Sequence, residues 1–210
     1  MQHKKICHIL SLLTVWLLLL TSPAAHADSI ADLQKYLKET KTLSASFNQT
    51  VKKKSGKPEQ SSGQFQLLRP GKFKWIYVHP YNQDIISNGQ QIWLYDHDLA
   101  QVTIKAANNA LESSPAAILS GENNLNQRFE LQSLPEKNGI KWVALTPKSK
   151  DTSFSQIRIG LINGALDRME LDDHFNQTTI INLSKIQRNQ AIAPQTFNFT
   201  PPAGVDIIRE

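Results

Sequence analysis

Histidine and carboxylate side chains are the first candidates for chemistry in this sequence. Three histidines, His79, His97 and His174, follow residue 27. His97 lies between Asp96 and Asp98, yet no H-x-x-x-H or paired Cys/His spacing is present that would converge ligands on a metal. Solvated turns explain these residues equally well. We therefore expect no metal site.

Motifs for nucleophilic and phosphate chemistry are also missing. The sequence has no G-x-S-x-G, no G-x-x-x-x-G-K-[ST] and no G-x-G-x-x-G. The single cysteine, Cys7, precedes an apolar stretch near the N-terminus. Acidic residues are numerous, but no spacing singles out two of them as an acid–base pair. We expect no catalytic residue, no cofactor and no enzyme activity.

Aromatic residues form the clearest pattern. The stretch "LLRPGKFKWIYV", Leu67–Val78, places Phe73, Trp75 and Tyr77 at every second position. Period two predicts a strand with one strongly apolar face. Arg69 stands immediately before a Pro-Gly turn that separates two apolar segments. These residues raise the question of whether that face belongs to a permanent core or binds something.

The N-terminus has the pattern of a secretory signal. Two lysines precede the apolar run Ile9–Leu20, and an A-x-A pattern of small residues ends at Ala27. The run is shorter than the roughly 20 apolar residues that span a bilayer. We expect cleavage after Ala27, which leaves residues 28–210 as one domain in the periplasm.

Charge and cysteine content limit the function of that domain. The chain has 23 basic and 18 acidic residues, and loss of the two N-terminal lysines leaves 21 against 18, a net charge of +3. This mild excess is not typical of a nucleic-acid-binding protein. Without a cysteine after Cys7, we expect no disulfide and no lipid-modified N-terminal cysteine.

The segments between turn signals mostly resemble strands. Residues 28–40 have helical spacing at Ile30, Leu33, Tyr36 and Leu37, which predicts a surface helix. Asn88-Gly89 and Asn163-Gly164 favour two-residue hairpin turns, and Pro70-Gly71 favours a type II turn. The predicted strands are Leu43–Lys53, Gly63–Leu68, Lys72–Val78, Gln83–Ser87, Gln91–Tyr95, Ala100–Lys105, Arg128–Leu134, Lys141–Thr146, Phe154–Ile162, Ala165–Asp172 and Thr178–Ile186.

A short apolar helix interrupts the strands. In "SSPAAILSG", Ser114 is a candidate cap, Pro115 suits the first helical position and Gly121 suits the stop. Such a short helix cannot be stable alone, so it must dock on the sheet. Because strand twist accumulates, we expect a mainly β fold: one curled antiparallel sheet forming an unclosed half-barrel, covered by helices.

The aromatic stretch and its continuation carry a family resemblance. "RPGKFKWIYV" fits R-P-x-x-F-x-W, and "SNGQQIWLYD" fits S-D-G-x-x-L/I-W-x-Y-D with Asn88 in place of the usual Asp. "SPAAILSG" is similar to a lid helix, and "FNFTPPAGVDII" to a C-terminal strand and tail. Together these motifs resemble the LolA family of periplasmic outer-membrane lipoprotein carriers across nearly all of residues 28–210.

The resemblance implies a fold and a function. The family fold is an unclosed barrel of about eleven strands whose helices form a lid over an apolar cavity. A family member is expected to be a monomer that receives acylated lipoproteins from an inner-membrane ABC transporter and passes them to an outer-membrane receptor. These expectations require a hollow apolar interior that a movable flap can shut.

The resemblance also implies site residues. Arg69 matches a lid arginine that bonds backbone groups of the helices. Ala116 and Ala117 stand where family lid helices often carry bulkier side chains, with an unknown effect on affinity. The expected lid-closing residues are Arg69, Leu37, Leu119 and Ser120, and the expected lipid-binding residues are Phe47, Phe65, Leu67, Phe73, Trp75, Trp93, Ile118 and Leu119.

Other functions stay open beside the carrier. An outer-membrane lipoprotein receptor shares the fold, but it needs a lipidated N-terminal cysteine that this sequence does not offer. A secreted β-rich hydrolase of acyl esters is an alternative of another class, which turnover of such esters would reveal. A periplasmic sensor or anti-sigma partner built on a related half-barrel is a third, although no second domain is evident.

Overall fold

The computed structural model describes residues 29–107, 115–121, 125–150 and 152–210. The predicted signal sequence and the predicted cap Ser114 lie outside these ranges. Twelve strands occur in the described residues. They are β1 Thr42–Lys52, β2 Glu59–Leu68, β3 Lys72–His79, β4 Gln83–Asn88, β5 Gln91–Asp96, β6 Gln101–Ala106, β7 Phe129–Lys137, β8 Ile140–Pro147, β9 Phe154–Ile162, β10 Ala165–Asp173, β11 Thr178–Arg188 and β12 Asp206–Arg209.

These strands form one sheet in the order β12-β6-β5-β4-β3-β2-β1-β11-β10-β9-β8-β7. Neighbouring strands are antiparallel except β12, which pairs parallel with β6. Since β7 and β12 are not paired with each other, the sheet is unclosed. The predicted fold class is confirmed. The strand count is twelve instead of about eleven, because the short C-terminal β12 adds to the edge.

Three α-helices are described: α1 Ser29–Glu39, α2 Pro115–Ser120 and α3 Leu125–Arg128. A 3-10 helix, Pro194–Phe197, follows β11. The predicted stripe of α1 is confirmed, since Leu33, Tyr36 and Leu37 are buried. Two residues in the first turn of α1 bond to strand β8. Ser29 Oγ donates to the Trp142 carbonyl at 2.9 Å, and Asp32 forms an ion pair with Lys141 at 2.8 Å.

One face of the sheet, the inner face, encloses most of the core. Buried residues of β1 to β5 and of β7 to β11 join the three helices in one hydrophobic cluster. Strands near opposite ends of the sheet can share a cluster only if the sheet curls around it. Alternate residues of the same strands point to the outer face.

The turns follow the sequence signals closely. Asn163 and Gly164 have φ of 50° and 73° and form the whole connection between β9 and β10, as the type I′ signal predicts. The other hairpin is offset by one residue. Its two-residue loop is Gly89-Gln90, while the Asn88 side chain accepts bonds from the amides of Gln90 and Gln91, both at 2.8 Å.

A network of polar side chains connects β9, β10 and β11 on the outer face. Arg158 donates to Asp172 at 2.6 Å and to Glu170 at 3.0 Å, and the Thr178 hydroxyl donates to Asp172 at 2.7 Å. Burial alone would raise the pKa of Asp172, but the bonds from Arg158 and Thr178 and the guanidinium charge outweigh it. The pKa of Asp172 is therefore lowered.

The network makes stability depend on pH. Because the folded pKa of Asp172 lies below its ordinary value of 3.8, its contribution is present above that value and is lost as pH falls through the folded pKa. We expect Asp172→Asn to lower the free energy of unfolding by about 1 kcal/mol at pH 7 and by almost nothing in strong acid. Urea titrations across pH check this, and a deficit that persists in acid would contradict it.

Gly63 lets two aromatic rings meet on the inner face. It pairs with Phe47 on one side and Tyr77 on the other, and those rings contact edge to face at 5.3 Å between centroids. A Cβ on Gly63 would come within 1.9 Å of the Ile76 carbonyl oxygen and 2.8 Å of the Phe47 ring. The position therefore has no room for a side chain.

We expect Gly63→Ala to lower the free energy of unfolding by about 1–3 kcal/mol, because the backbone of β3 and the Phe47 ring must both shift. Denaturant titration measures this. Gly160→Ala is the matched control: the atoms its Cβ would meet, at 2.8–3.2 Å, belong to the side chains of Ile140 and Trp142 and not to backbone. A cost for Gly63→Ala no greater than that of the control would contradict the argument.

Candidate functional site

An aromatic cluster forms the centre of the inner face. The rings of Trp75 and Phe47 stack with centroids 4.2 Å apart, and Phe65 lies 5.1 Å from Trp75. Tyr77 extends the cluster and donates from its hydroxyl to the Gln49 side chain at 3.2 Å. Trp75 is fully buried, and Phe47 and Phe65 are 1% exposed. This part of the sheet therefore offers an almost purely apolar surface.

The period-two pattern of three adjacent strands places these rings together. Trp75 of β3 pairs with Phe65 of β2, and Phe65 in turn pairs with Ala45 of β1. Two residues before Trp75 in β3, Phe73 pairs with Leu67 of β2, which in turn pairs with Leu43 of β1. Since paired residues share a face, the aromatic and aliphatic side chains form continuous rows across the strands.

Three of the predicted lipid-binding rings are packed together. Phe47, Phe65 and Trp75 are expected to line a cavity, but their rings touch one another and are closed off from solvent. Large aromatic side chains reduce exposed apolar surface by packing together. Room for an acyl chain among these rings requires that they separate or that a covering element moves.

The covering element is α2. Its residues Ala116 to Ser120 are all buried, and the helix contains no charged residue. It packs against β2 and β3, next to the strand face that carries Phe65 and Trp75. Ile118 and Leu119 belong to the same hydrophobic cluster as the rings. A six-residue apolar helix of this kind is stable only while it remains on the sheet.

Two groups of the β2–β3 turn bond the C-terminal end of α2. Arg69 Nη1 donates to the Gly121 carbonyl at 2.9 Å, and the Gly71 amide donates to the Ser120 carbonyl at 2.7 Å. Carbonyls at a helix C-terminus lack partners within the helix and carry partial negative charge, which a guanidinium and an amide satisfy. We call Arg69, Gly71, Ser120 and Gly121 the lid anchor.

Neighbouring turns support the lid anchor. The Ser87 hydroxyl donates to the Gly71 carbonyl at 2.8 Å and accepts from the Gly89 amide at 3.1 Å. Gly71 has a φ of 73°, the left-handed region that suits glycine. The Arg69 amide also donates to the Lys41 carbonyl at 2.9 Å, just beyond α1. The turn that carries the anchor is thus also bonded to the segment between α1 and β1.

Burial changes the titration of the site. It lowers the pKa of Arg69 to about 10, against a raising influence of Tyr36. The guanidinium therefore remains charged at neutral pH. Burial, aided by the neighbouring Tyr81 phenol, raises the pKa of Tyr77 to about 12. Arg69 therefore keeps the lid anchor positively charged across the physiological range.

Most of the predicted site residues lie together. Phe47, Phe65, Leu67, Phe73 and Trp75 belong to the inner cluster with Ile118 and Leu119, and Leu37 of α1 joins them. The Ser120 and Gly121 carbonyls face the turn that carries Arg69 and Gly71. Whether these residues bind lipid stays a prediction.

Trp93 lies apart from the other predicted lipid-binding residues. Its neighbour Ile92 belongs to the inner cluster, so Trp93 points to the outer face. There it packs with Ile86 and Val102, and its ring lies 6.0 Å from Phe199 in the C-terminal segment. This segment covers the outer face of β4 to β6 and is followed by β12.

Sequence reasoning missed two groups that contribute to the site, the Gly71 amide and the Gln49 side chain. The Gly71 amide acts through the backbone, which no residue type reveals. Gln49 is buried and accepts the Tyr77 hydroxyl. A signal for it existed: a polar residue at the i+2 position after Phe47, on a face that is otherwise apolar.

Metal ligands, membrane-spanning helices and surface grooves are three further features that bear on the function. Among the described residues, no three His, Cys, Asp or Glu side chains come close enough to hold a metal. No helix there is long and apolar enough to cross a bilayer. A groove of about 540 Å³ runs beside α1, but Asp32, Lys35, Glu39 and other polar residues line it, which does not suit an acyl chain.

Comparison with known proteins identifies the family that this chain resembles. Residues 38–200 match the family model described as outer membrane lipoprotein carrier protein LolA. An outer-membrane lipoprotein carrier protein of Dechloromonas aromatica is 47% identical over 187 residues, covering 89% of this chain and 90% of the relative. The carrier protein of Chromobacterium violaceum is 45% identical over 184 residues, covering 88% and 89%.

Solved structures support the fold. A LolA superfamily protein from Nitrosomonas europaea has a TM-score of 0.53 at 10% identity, covering 81% of this chain and 97% of its own. A conserved, uncharacterised protein from Thermus thermophilus has a TM-score of 0.54 at 11% identity, covering 88% and 99%. At such low identity these similarities concern the architecture alone.

The Gly71 amide offers a direct report on the lid anchor, because its bond partner belongs to α2. We expect Arg69→Leu to reduce hydrogen-exchange protection of the Gly71 amide by about ten- to a hundredfold, the value of a bond to a charged group. Protection of amides in β9 and β10 should not change.

Arg209→Leu in β12 is the matched control, since this exposed arginine lies away from α2. Equal Gly71 protection in the wild type and Arg69→Leu would contradict the role of Arg69 in holding the helix.

Proposed function

The chain belongs to the outer membrane lipoprotein carrier family LolA, and on that premise we propose that it carries lipoproteins by their acyl chains. The chains bind against the inner apolar face while α2 acts as the lid. The expected periplasmic location, with cleavage after Ala27, is part of the proposal.

The observation that supports this function is the combination of an apolar face with a weakly fixed cover. Seven of the eight predicted lipid-binding residues lie in one cluster on the inner face and on α2. The hydrogen bonds described between the β2–β3 turn and the end of this helix come from Arg69 and Gly71. Movement of α2 would uncover the aromatic rings without breaking a strand pairing.

Energetics favour an interior that packs on itself. A triacylated cargo carries on the order of 40 methylenes, each contributing about 0.8 kcal/mol when removed from water. The sum of roughly 30 kcal/mol exceeds the practical limit of about 20 kcal/mol for non-covalent affinity. Separating the rings and lifting α2 costs free energy that offsets part of this gain. Cargo is then held firmly enough to cross water and loosely enough to be released.

The lid anchor biases the cycle toward release. Its bond from Arg69 forms when α2 returns to the sheet, and a bond to a charged group contributes about 1.5–3 kcal/mol. This free energy favours the closed, unloaded form and opposes the loaded one. Loading then needs an energised donor, which we propose is an inner-membrane ABC transporter. The recipient is an outer-membrane receptor, and the carrier acts as a monomer without a cofactor.

Two alternatives give different results. A receptor of the same fold would need a lipidated N-terminal cysteine, and Cys7 precedes the apolar run. A hydrolase would turn over acyl esters, whereas a carrier captures acylated ligands stoichiometrically. Incubation of the purified protein with acyl esters therefore separates the classes.

The deciding experiment isolates the protein from periplasm after depletion of the outer-membrane receptor. Mass spectrometry should then find triacylated lipoproteins bound in a one-to-one complex, and a protein N-terminus at Asp28. Recovery of the protein free of acylated material under these conditions would contradict the carrier function.

We expect Arg69→Leu to fold and to load, but to hand over cargo about tenfold or more slowly, because the closed form loses the charged bond that favours release. The measurement is transfer of a purified lipoprotein from loaded carrier to receptor. Arg209→Leu serves as the control and should transfer at the wild-type rate. A wild-type rate for Arg69→Leu would show that the anchor does not drive release.

A further inference from the structure

Three neighbouring connections lie at the end of the sheet opposite the lid anchor. Strand pairing places them there: Lys52 pairs with Thr178, and Ser62 pairs with His79. The connections β3–β4, β1–β2 and β10–β11 therefore lie next to one another along the curled edge, whereas Arg69 and Gly71 belong to a turn at the other end. We call this end the basic-apolar end.

Lysines occupy its central connection. Lys52, Lys53, Lys54 and Lys57 are all exposed in or beside the β1–β2 loop. Lys53 forms an ion pair with Glu59. These lysines form an exposed, solvated run. Its position between two apolar connections is what the sequence does not reveal.

Apolar side chains protrude on both sides of the lysines. Phe175 at the tip of β10–β11 is 85% exposed, and on the other side Val78 and Tyr81 are 55% and 41% exposed. These are three of the seven large hydrophobic residues described as exposed. Exposed apolar groups gathered at one end of a molecule mark a surface that is covered by something else.

The tip that carries Phe175 is built to hold it outward. One Asp173 carboxylate oxygen accepts the amides of Phe175 and Gln177, both at 2.8 Å. The adjacent His174 ring contacts the Thr152 carbonyl at 3.0 Å. Tyr81 is fixed differently, because its ring packs against Tyr77 at 5.2 Å. A preorganised aromatic loses little conformational entropy when it inserts into a partner.

Carboxylates beside the β1–β2 and β10–β11 connections are bonded within the protein, whereas Asp98 of the neighbouring β5–β6 connection is exposed. Glu59 pairs with Lys53, Asp172 with Arg158, and Asp173 with the backbone of its own turn. Lysine thus dominates the charge offered by the central loop. A partner that complements this charge has an anionic surface. The protruding rings require that the same partner be apolar just below that surface.

We propose that the basic-apolar end docks the protein on the surface of a bilayer that contains anionic phospholipid. The lysines bind the headgroups, and Phe175 with Tyr81 and Val78 enters the headgroup–acyl boundary, the combination by which proteins bind membrane interfaces reversibly. The lid anchor at the opposite end then faces away from the membrane. This docking does not depend on acyl binding by the inner face.

The test uses processed protein purified from periplasm, with its N-terminus verified by mass spectrometry, in co-sedimentation with lipid vesicles. Vesicles of phosphatidylglycerol and phosphatidylethanolamine should bind it, and pure phosphatidylcholine vesicles should not. Exchange of Lys53, Lys54 and Lys57 for Gln should weaken binding more than about tenfold. Phe175→Ser should weaken it about tenfold.

Matched controls come from the opposite end of the molecule. Exchange of the exposed Lys38, Lys41 and Lys137 for Gln removes the same charge, and Ile162→Ser removes an exposed apolar side chain. These variants should bind like the wild type. A retained thermal transition in Phe175→Ser shows that its loss of binding is not unfolding.

Three outcomes would overturn the proposal. The first is equal binding to anionic and neutral vesicles, and the second is equal loss in the test and control variants. The third is binding only to native membranes, abolished when those membranes are treated with protease, which would assign this end to a protein partner.

Discussion

The bond between a charged turn and the end of an apolar helix governs this protein. Helix α2 has six residues, no charge and no ability to persist in water, so its position depends on the sheet beneath it and on the lid anchor. Arg69 and Gly71 satisfy two carbonyls that the helix leaves open. Both donors sit on a turn that Ser87 ties to the next hairpin. The turn between β2 and β3 thus fixes the end of α2 through a few bonds at one corner of the sheet.

The packed state of the inner face changes how binding is understood. A preformed empty cavity would bind acyl chains with little opposition and hold them too tightly. Here Trp75, Phe47 and Phe65 contact one another, so in the proposed function an acyl chain competes with contacts that the protein already makes. In that proposal, self-packing of the rings and closure of α2 both favour the unloaded form. Gly63 permits this packing, because a Cβ there would collide with the Phe47 ring and the Ile76 carbonyl.

Sequence reasoning recovered the features that depend on local pattern. Period two at Phe73, Trp75 and Tyr77 identified the inner face, and Asn163-Gly164 identified a turn, because both signals act over a few residues. Long-range features were beyond it. Trp93 has the same strand pattern as Trp75, and only the packing of the folded chain, with Ile92 in the inner cluster and Phe199 against the Trp93 ring, shows that it faces outward. The parallel pairing of β12 with β6 and the closeness of the lysine loop to Phe175 likewise depend on the register of distant strands.

Fluorescence quenching tests the central claim most directly, because the protein carries tryptophans on both faces. Two variants are needed: one keeps Trp75 and replaces Trp93 and Trp142 by Phe, and the other keeps Trp93 and replaces Trp75 and Trp142. Each is titrated with a lipopeptide whose acyl chains are brominated. The account predicts strong, saturable quenching of Trp75 and almost none of Trp93. Equal quenching of the two, or quenching of Trp93 alone, would show that acyl chains do not enter beneath α2.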